Sequence, residues 1–426
     1  MSQHLRSVVI CGAARIPFCR SNTAYSELSN LDMLGVTLRG LVARTGLQGE
    51  RLGELSAGAV ITHSKDWNLA REAVLSSGLS PETPGLTLQQ ACGTSLQGAL
   101  GSAAKIAAGQ MDCAIAAGSD TTSDVPVVFG RRFAQRLARL SRAKTLQQRL
   151  GLLRGMSLRE LKPIAPSVNE PRTLMSMGEH CERMAREWEI SRQAQDQLAL
   201  QSHQKAAAAY AEGFFDDLLV PCEGVWRDNN LRPDASMESL AALRTAYDKS
   251  AAATLTAGNS TPLTDGAAAL LLASEDWARE RDLPVLARLT AFETAAVDYV
   301  GGEGLLMAPT IAVARMLQRT GLGLQDFDFY EIHEAFAAQV LCTLKAWESP
   351  AYCRDRLGLD APLGAIDQSH LNIKGSSLAI GHPFAATGAR VTATMAKLLH
   401  QKGRGRGLIS VCTAGGMGVT AILEAG

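Results

Sequence analysis

Four short segments of this chain carry residue types that can do covalent chemistry. The first, Leu88–Leu100, reads LQQACGTSLQGAL. Cys92 stands there at the entrance of an Ala/Gly-rich stretch whose pattern predicts a helix from Thr94 to about Ala108. Gly93 permits a tight turn, and Thr94 or Ser95 is placed to cap the first free N–H groups. The positive end of such a helix favours a thiolate, so the sequence predicts a lowered Cys92 pKa. A sulfur nucleophile needs a base for its proton and a group to hold the charge that develops on the substrate. The candidates come much later: His333 in His-Glu-Ala-Phe, His382 in Gly-His-Pro-Phe-Ala-Ala-Thr-Gly, and Cys412 in Cys-Thr-Ala-Gly-Gly-Met-Gly. A lone apolar-context cysteine is ordinarily an inert core residue. Here each reactive residue is flanked by small ones that let a ligand approach the backbone, which core packing does not require.

In order and spacing, the four segments resemble the thiolase family from end to end. His-Glu-Ala-Phe stands where many thiolases carry Asn-Glu-Ala-Phe, as in the thiolase (beta) subunit of bacterial and mitochondrial fatty-acid β-oxidation complexes. The resemblance implies that Cys92 is the nucleophile, His382 its base, and Cys412 the acid/base at the carbon α to the thioester. It implies that His333 donates a hydrogen bond to the thioester oxygen. The N–H groups of Ala414 (Gly in many thiolases) and Cys92 would hold the tetrahedral oxygen, with Glu334 and Phe336 orienting and packing. CoA enters as a substrate, and no cofactor or metal is implied. Its expected contacts are Arg244 near the adenine and ribose phosphates, Thr261 at the pantetheine, and Ser260, Ser176 and Met177. Ser176 stands where short-chain thiolases often have a histidine before Met-Gly. The implied activity is that of an acyl-CoA:acetyl-CoA C-acyltransferase, cleaving a 3-ketoacyl-CoA through a Cys92 acyl-enzyme and reversible as a Claisen condensation. Alternatives are a biosynthetic short-chain acetyl-CoA C-acetyltransferase, a non-catalytic acyl-CoA-binding protein, and a ketoacyl synthase of the same fold, against which Cys412 speaks.

For these residues to meet, the chain must fold back on itself. Strand-like runs at Ser7–Gly12, Gly58–Ile61 and Asp112–Ala117 alternate with helical patterns, which predicts a largely parallel sheet with helices on its faces. The helix after Cys92 is rich in small residues and suits a buried place between layers. From Arg131 to Arg172 there are eleven basic residues and two acids, with Phe133, Leu137, Leu140, Leu146, Leu150 and Leu153 at helical intervals. This basic insertion reads either as a solvated helical flap or as a contact for CoA phosphates, a membrane surface or a second subunit. Met177–Gly213 reads as helical, with Ser191 as a cap. Thr254–Thr256 reads as a strand and Ala267–Ala273 as a buried one. Residues 281–426 repeat the pattern: strands at Leu286–Ala291, Phe327–Ile332, Leu408–Cys412 and Val419–Glu424, and helices at Pro309–Arg319 and Arg390–Gln401. Both halves place a cysteine at a small-residue turn. The expected fold is α/β, with two duplicated halves packed in layers and a helical loop-domain insertion, and the active site between the halves. The expected domains are 1–125 with 251–280, the insertion 126–250 over the active site, and 281–426.

Composition narrows the rest. With 46% hydrophobic and 20% charged residues and zero formal net charge, nothing global points to nucleic acid. Nine cysteines without a C-x-x-C pair fit a reducing compartment, so a cytoplasmic location is expected. The N-terminal apolar run is too short for a signal sequence. The C-terminus carries no peroxisomal tripeptide, and no run approaches the roughly 20 apolar residues of a membrane span. No Gly-rich nucleotide motif is present. The family implies a homodimer or tetramer, a hydratase/dehydrogenase partner subunit, and peripheral membrane contact through the basic insertion.

Overall fold

The computed structural model describes residues 5–426; residues 1–4, assigned above to the first half, lie outside it. The first half runs β1 (Val8–Arg15), α1 (Asn30–Thr45), β2 (Glu54–Gly58), α2 (Leu69–Ser77), β3 (Gly85–Thr87), α3 (Thr94–Ala107) and β4 (Cys113–Asp120). The chain then leaves the sheet through α4 (Arg131–Arg142), α5 (Leu146–Leu153), α6 (Met177–Glu187) and α7 (Arg192–Ala211), and returns as β5 (Thr264–Ser274). The second half runs β6 (Ala287–Ala296), α8 (Ala308–Thr320), β7 (Phe329–Ile332), α9 (Ala337–Glu348), α10 (Thr387–Lys402), β8 (Arg406–Thr413) and β9 (Met417–Ala425).

Strand order exposes the duplication. The first half is ordered β3-β2-β4-β5-β1, with two parallel pairs followed by two antiparallel ones. The second is β7-β8-β9-β6, one parallel pair and then two antiparallel. A parallel bridge from Tyr330 to Leu371 stands where β3 stands in the first half. The halves join edge to edge through the antiparallel pair β1·β6, at Val9 with Arg288 and Ile10 with Ala287. The expectation of a largely parallel sheet is therefore corrected. β9 follows β8 through a tight turn after Thr413, and such a connection is necessarily antiparallel; β5 comes back beside β4 only after the excursion through α4–α7, and it too runs antiparallel. By the same order, the Cys92 turn before α3 corresponds to the His382 turn before α10. Cys412 lies on β8, whose counterpart β4 ends in Ser119-Asp120, so the two cysteines are not repeat equivalents.

The layers follow from side-chain alternation. Ile115, Ala117, Leu271 and Ala273 face α1 and α2, whereas Ala114, Ala116, Leu270 and Leu272 face α3. In the second half Ile409, Val411, Ala421 and Leu423 face inward to α10, while Leu408 and Ile422 face outward to α8 and α9. Helices α3 and α10 thus share one core between the two halves of the continuous sheet, and the order is helix, half-sheet, helix, half-sheet, helix. β5 is buried along its whole length, which explains its continuous apolar run. The small residues of α3 allow close approach: a Cβ on Gly388 of α10 would lie 2.5 Å from the Leu96 nitrogen.

Some expected elements moved. The strand expected at Gly58–Ile61 lies earlier, because the Val60 and Ile61 N–H groups go to the Asp120 carboxylate instead of a ladder. Thr254–Thr256 makes one bridge only, since Thr254 and Leu255 donate to Glu182. Met177–Gly213 is two helices, the second capped by Ser191 through the Ala194 N–H. In the basic segment Phe133 is buried, but Leu137, Leu146, Leu150 and Leu153 are exposed, so the chain leaves that apolar face uncovered.

Candidate active site

The Cys92 turn is locked from within. The Gly93 N–H donates to the Gln90 carbonyl at 3.0 Å and the Thr94 N–H to that of Ala91 at 3.1 Å. Thr94 Oγ1 accepts from the Gln90 N–H at 2.9 Å and donates to the Ala91 carbonyl at 2.7 Å. Thr94 therefore braces the turn, and Ser95 Oγ accepts from the Ala389 N–H at 2.8 Å. Neither caps α3; the N-cap is Gly93, without a side-chain bond. Ala91 has φ +46°, a left-handed conformation unusual for a residue with a Cβ. Glycine is required at 93, where a Cβ would lie 2.8 Å from Val419 Cγ2 and 3.0 Å from Thr413 Cγ2. The β8–β9 hairpin of the second half thus presses on the nucleophile turn of the first.

That contact brings the distant segments together. His382 follows Gly381, whose φ of +108° turns the chain, and its N–H donates to Thr264 Oγ1 at 3.1 Å. His382 Nε2 lies 3.2 Å from Cys92 Sγ, and its Nδ1 lies 2.6 Å from Thr387 Oγ1. His333 follows β7, with its N–H on the Ser410 carbonyl and its Nδ1 2.7 Å from Ser377 Oγ. The two imidazoles pack with ring centroids 4.1 Å apart. One ligand atom each from Cys92, His333 and His382 lies within 4.8 Å of the others, a spacing that could also hold a metal ion. Cys412 is buried on β8, and the Ala414 N–H is directed at the Cys92 sulfur.

Burial sets the charge state. It pushes the Cys92 thiol up to about 12, against the pull of the Ala414 N–H, with Asp120 and Glu170 adding to the rise. The expected low pKa is thus overturned: desolvation outweighs the helix terminus. Burial holds His382 down to about 3, with the Arg390 charge adding to the effect. His333 is held well below its usual range by burial, then by His382 and Arg390. Cys412 is raised by burial and next by Cys92, which makes the two sulfurs electrostatic neighbours. The resting site is a neutral thiol against a neutral imidazole, able to pass a proton as the sulfur attacks.

The remaining expected residues fall into two groups. Glu334 is buried and accepts from Ser202 Oγ at 2.7 Å, Asn372 Nδ2 at 2.7 Å and the Leu378 N–H at 3.1 Å, tying α7 to the segment before His382. Phe336 bridges Ser260 and packs edge-on against Tyr247. Of the expected CoA contacts, Arg244 is exposed. Thr261 Oγ1 donates to the Ala335 carbonyl, and the Ser260 hydroxyl is buried without a partner among the described residues. Ser176 is occupied as the N-cap of α6, in a capping box with Glu179, and Met177 is half-buried against the apolar cluster that contains Phe336 and Cys412.

Sequence reasoning did not single out Asp120, Glu170, Ser377 or Arg390. Asp120 holds the Val60, Ile61 and Ala385 N–H groups, and burial lifts its carboxyl to about 7. Glu170, from the basic insertion, accepts the Gly415 N–H at 2.8 Å and the Tyr299 hydroxyl at 3.2 Å. Arg390 is a buried cation in a small-residue helix, and that mismatch was the one signal the sequence offered.

Comparison with known proteins agrees with this geometry. A family model for the thiolase N-terminal domain matches residues 8–276, and one for the thiolase C-terminal domain matches residues 283–425. The 3-ketoacyl-CoA thiolases of Yersinia pestis (strain Pestoides F) and Yersinia pseudotuberculosis (serotype O:3, strain YPIII) are each 40% identical over 423 residues, 98% of this chain and 96% of theirs. The Bacillus anthracis acetyl-CoA acetyltransferase structure superposes with a TM-score of 0.83 at 28% identity, over 100% of both chains. Human mitochondrial 3-ketoacyl-CoA thiolase in complex with CoA gives 0.82 at 26% identity, over 99% of each chain.

Proposed function

The chain belongs to the thiolase family of acyltransferases, and from that premise we propose that it is a 3-ketoacyl-CoA thiolase working through a Cys92 acyl-enzyme. The observation that carries the reading is the 3.2 Å approach of Cys92 Sγ to His382 Nε2. His382 takes the thiol proton as the sulfur attacks the 3-keto carbon, and the Ala414 and Cys92 N–H groups receive the carbonyl oxygen. The C2–C3 bond then breaks. The electron pair moves onto the acetyl-CoA fragment, whose thioester oxygen is held by His333, and Cys412 supplies the proton to C2. A CoA thiol takes the acyl group from Cys92, and its proton completes the cycle. Run backwards, the same steps condense two acyl-CoAs.

The partners are acyl-CoA and CoA, with the protein assembled as a homo-oligomer. A hydratase/dehydrogenase subunit, or an anionic membrane surface, would meet the exposed Leu137, Leu146, Leu150 and Leu153 among their arginines. The nine free, buried cysteines support a reducing, cytoplasmic location, and no helix among the described residues is long and apolar enough to cross a membrane. The similarity to an acetyl-CoA acetyltransferase structure keeps a short-chain reading in view. A kcat/KM series on 3-ketoacyl-CoAs of increasing length, in the thiolysis direction, decides between them. Rising values support the β-oxidation reading, values confined to the four-carbon substrate support the short-chain one, and no turnover at any length refutes both.

A further inference from the structure

The mechanism requires a proton on His333 Nε2, and a neutral imidazole carries its single proton on either nitrogen. The surroundings of His333 favour one of the two. The Arg390 guanidinium is buried, with Nη1 3.0 Å from Ser376 Oγ and Nη2 2.6 Å from Ser377 Oγ. A guanidinium only donates, so Ser377 Oγ must be the acceptor in that contact. The one hydroxyl proton of Ser377 is then available for its other close neighbour, His333 Nδ1, at 2.7 Å. A serine oxygen has a second lone pair that could accept from an Nδ1–H, but its own proton would then have no acceptor among the described residues, since Arg390 and His333 are its only close partners. The arrangement that pairs every proton has Nδ1 offering the lone pair. His333 Nε2 is also buried and has no hydrogen-bond partner among the described residues. An unpaired buried N–H is costly, and a substrate oxygen would relieve that cost.

We propose that Arg390 and Ser377 are positioning residues that fix His333 in its Nε2–H tautomer, so that this imidazole faces the substrate as a hydrogen-bond donor. The neighbouring ring is set the opposite way. The Cys92 thiol needs a lone pair on His382 Nε2, which leaves the proton on Nδ1, donated to Thr387 Oγ1. Two imidazoles in contact thus do opposite work, one accepting a proton and one donating a hydrogen bond, and their second-nitrogen partners assign the roles. Glu331, 3.9 Å from Arg390, is the nearest carboxylate to the cation. This proposal rests on the thiolase reading for the use of the donor, but not for its existence.

Two measurements test it. The first is nitrogen NMR of the full-length protein with labelled histidine, the His333 signal among eight histidines being assigned by its loss in His333→Asn. The expected spectrum carries the His333 proton on Nε2, and Ser377→Ala mixes the tautomers. The second is a double-mutant cycle in thiolysis. Ser377→Ala should lower kcat roughly 10- to 100-fold with KM within about twofold, by analogy with loss of an oxyanion donor, and Ser377→Thr should restore it. An asparagine amide donates whatever its neighbours do, so in a His333→Asn background Ser377→Ala should cost less than about twofold. A proton on His333 Nδ1 in the unsubstituted protein, or equal losses in both backgrounds, overturns the proposal. Absence of thiolysis in the unsubstituted protein would sink the functional reading, while the spectrum would still decide the tautomer.

Discussion

Glu170 is the residue through which the basic insertion touches the chemistry. Its carboxylate, 7% exposed, accepts the Gly415 N–H at 2.8 Å and so fixes the loop whose Ala414 N–H is directed at the Cys92 sulfur. Glu170→Ala leaves that N–H unpaired and frees the loop. A hydrogen bond to a charged acceptor contributes about 2 kcal/mol, so kcat should fall roughly 30-fold if the loss falls on the transition state, with KM little changed. Glu170→Gln keeps an acceptor oxygen for Gly415 and should retain most of the rate. It also removes a negative charge that raises the Cys92 thiol. The pH midpoint of Cys92 alkylation should therefore move down in Glu170→Gln. Thiolysis kinetics, and iodoacetamide rates followed along the limb that rises toward the Cys92 midpoint of about 12, read the two effects separately, a lower midpoint showing as faster alkylation at each pH on that limb. If Glu170→Ala leaves kcat unchanged, or if the alkylation midpoint of Glu170→Gln moves up, the link between insertion and site is refuted.

Other consequences follow from the same geometry. Gly388→Ala forces a methyl against the Leu96 backbone nitrogen and should cost about 1–3 kcal/mol, read as a lower unfolding midpoint; an unchanged midpoint would mean the central helices are less tightly opposed. His382 is held down to about 3, so protonation of the base begins far below its ordinary pKa. The kcat/KM profile should consequently show no acidic limb near pH 6.5, and a clear limb there would contradict the buried neutral pair. His382→Asn should abolish thiolysis while leaving the unfolding midpoint within a few degrees, measured side by side.

Much of this arrangement was legible in the residues themselves. Cys92, His382 and His333 stand in short motifs of small residues, and the structure brings all three within 4.8 Å. The repeating order of strands and helices was also visible from Leu286 onward. The sense of the strands was not, because periodicity does not distinguish a β5 that returns antiparallel from one that crosses over. The charge state of Cys92 was misjudged for a related reason. A helix terminus can be read locally, but burial depends on the β8–β9 hairpin, over three hundred residues away in the chain. Ser377, Arg390 and Glu170 escaped notice because serine, arginine and glutamate are common and their partners lie on other elements. Ser176 shows the converse: a position suggested by resemblance has its hydroxyl engaged as a helix cap.

Intact-mass and peptide analysis after a single turnover with acetyl-CoA tests the covalent step most directly. One acetyl group per chain should appear on the peptide carrying Cys92, appear far more slowly in His382→Asn, and be absent in Cys92→Ser. An acetyl group on Cys412 or another of the nine cysteines, or none on any of them, would contradict the proposed role of Cys92.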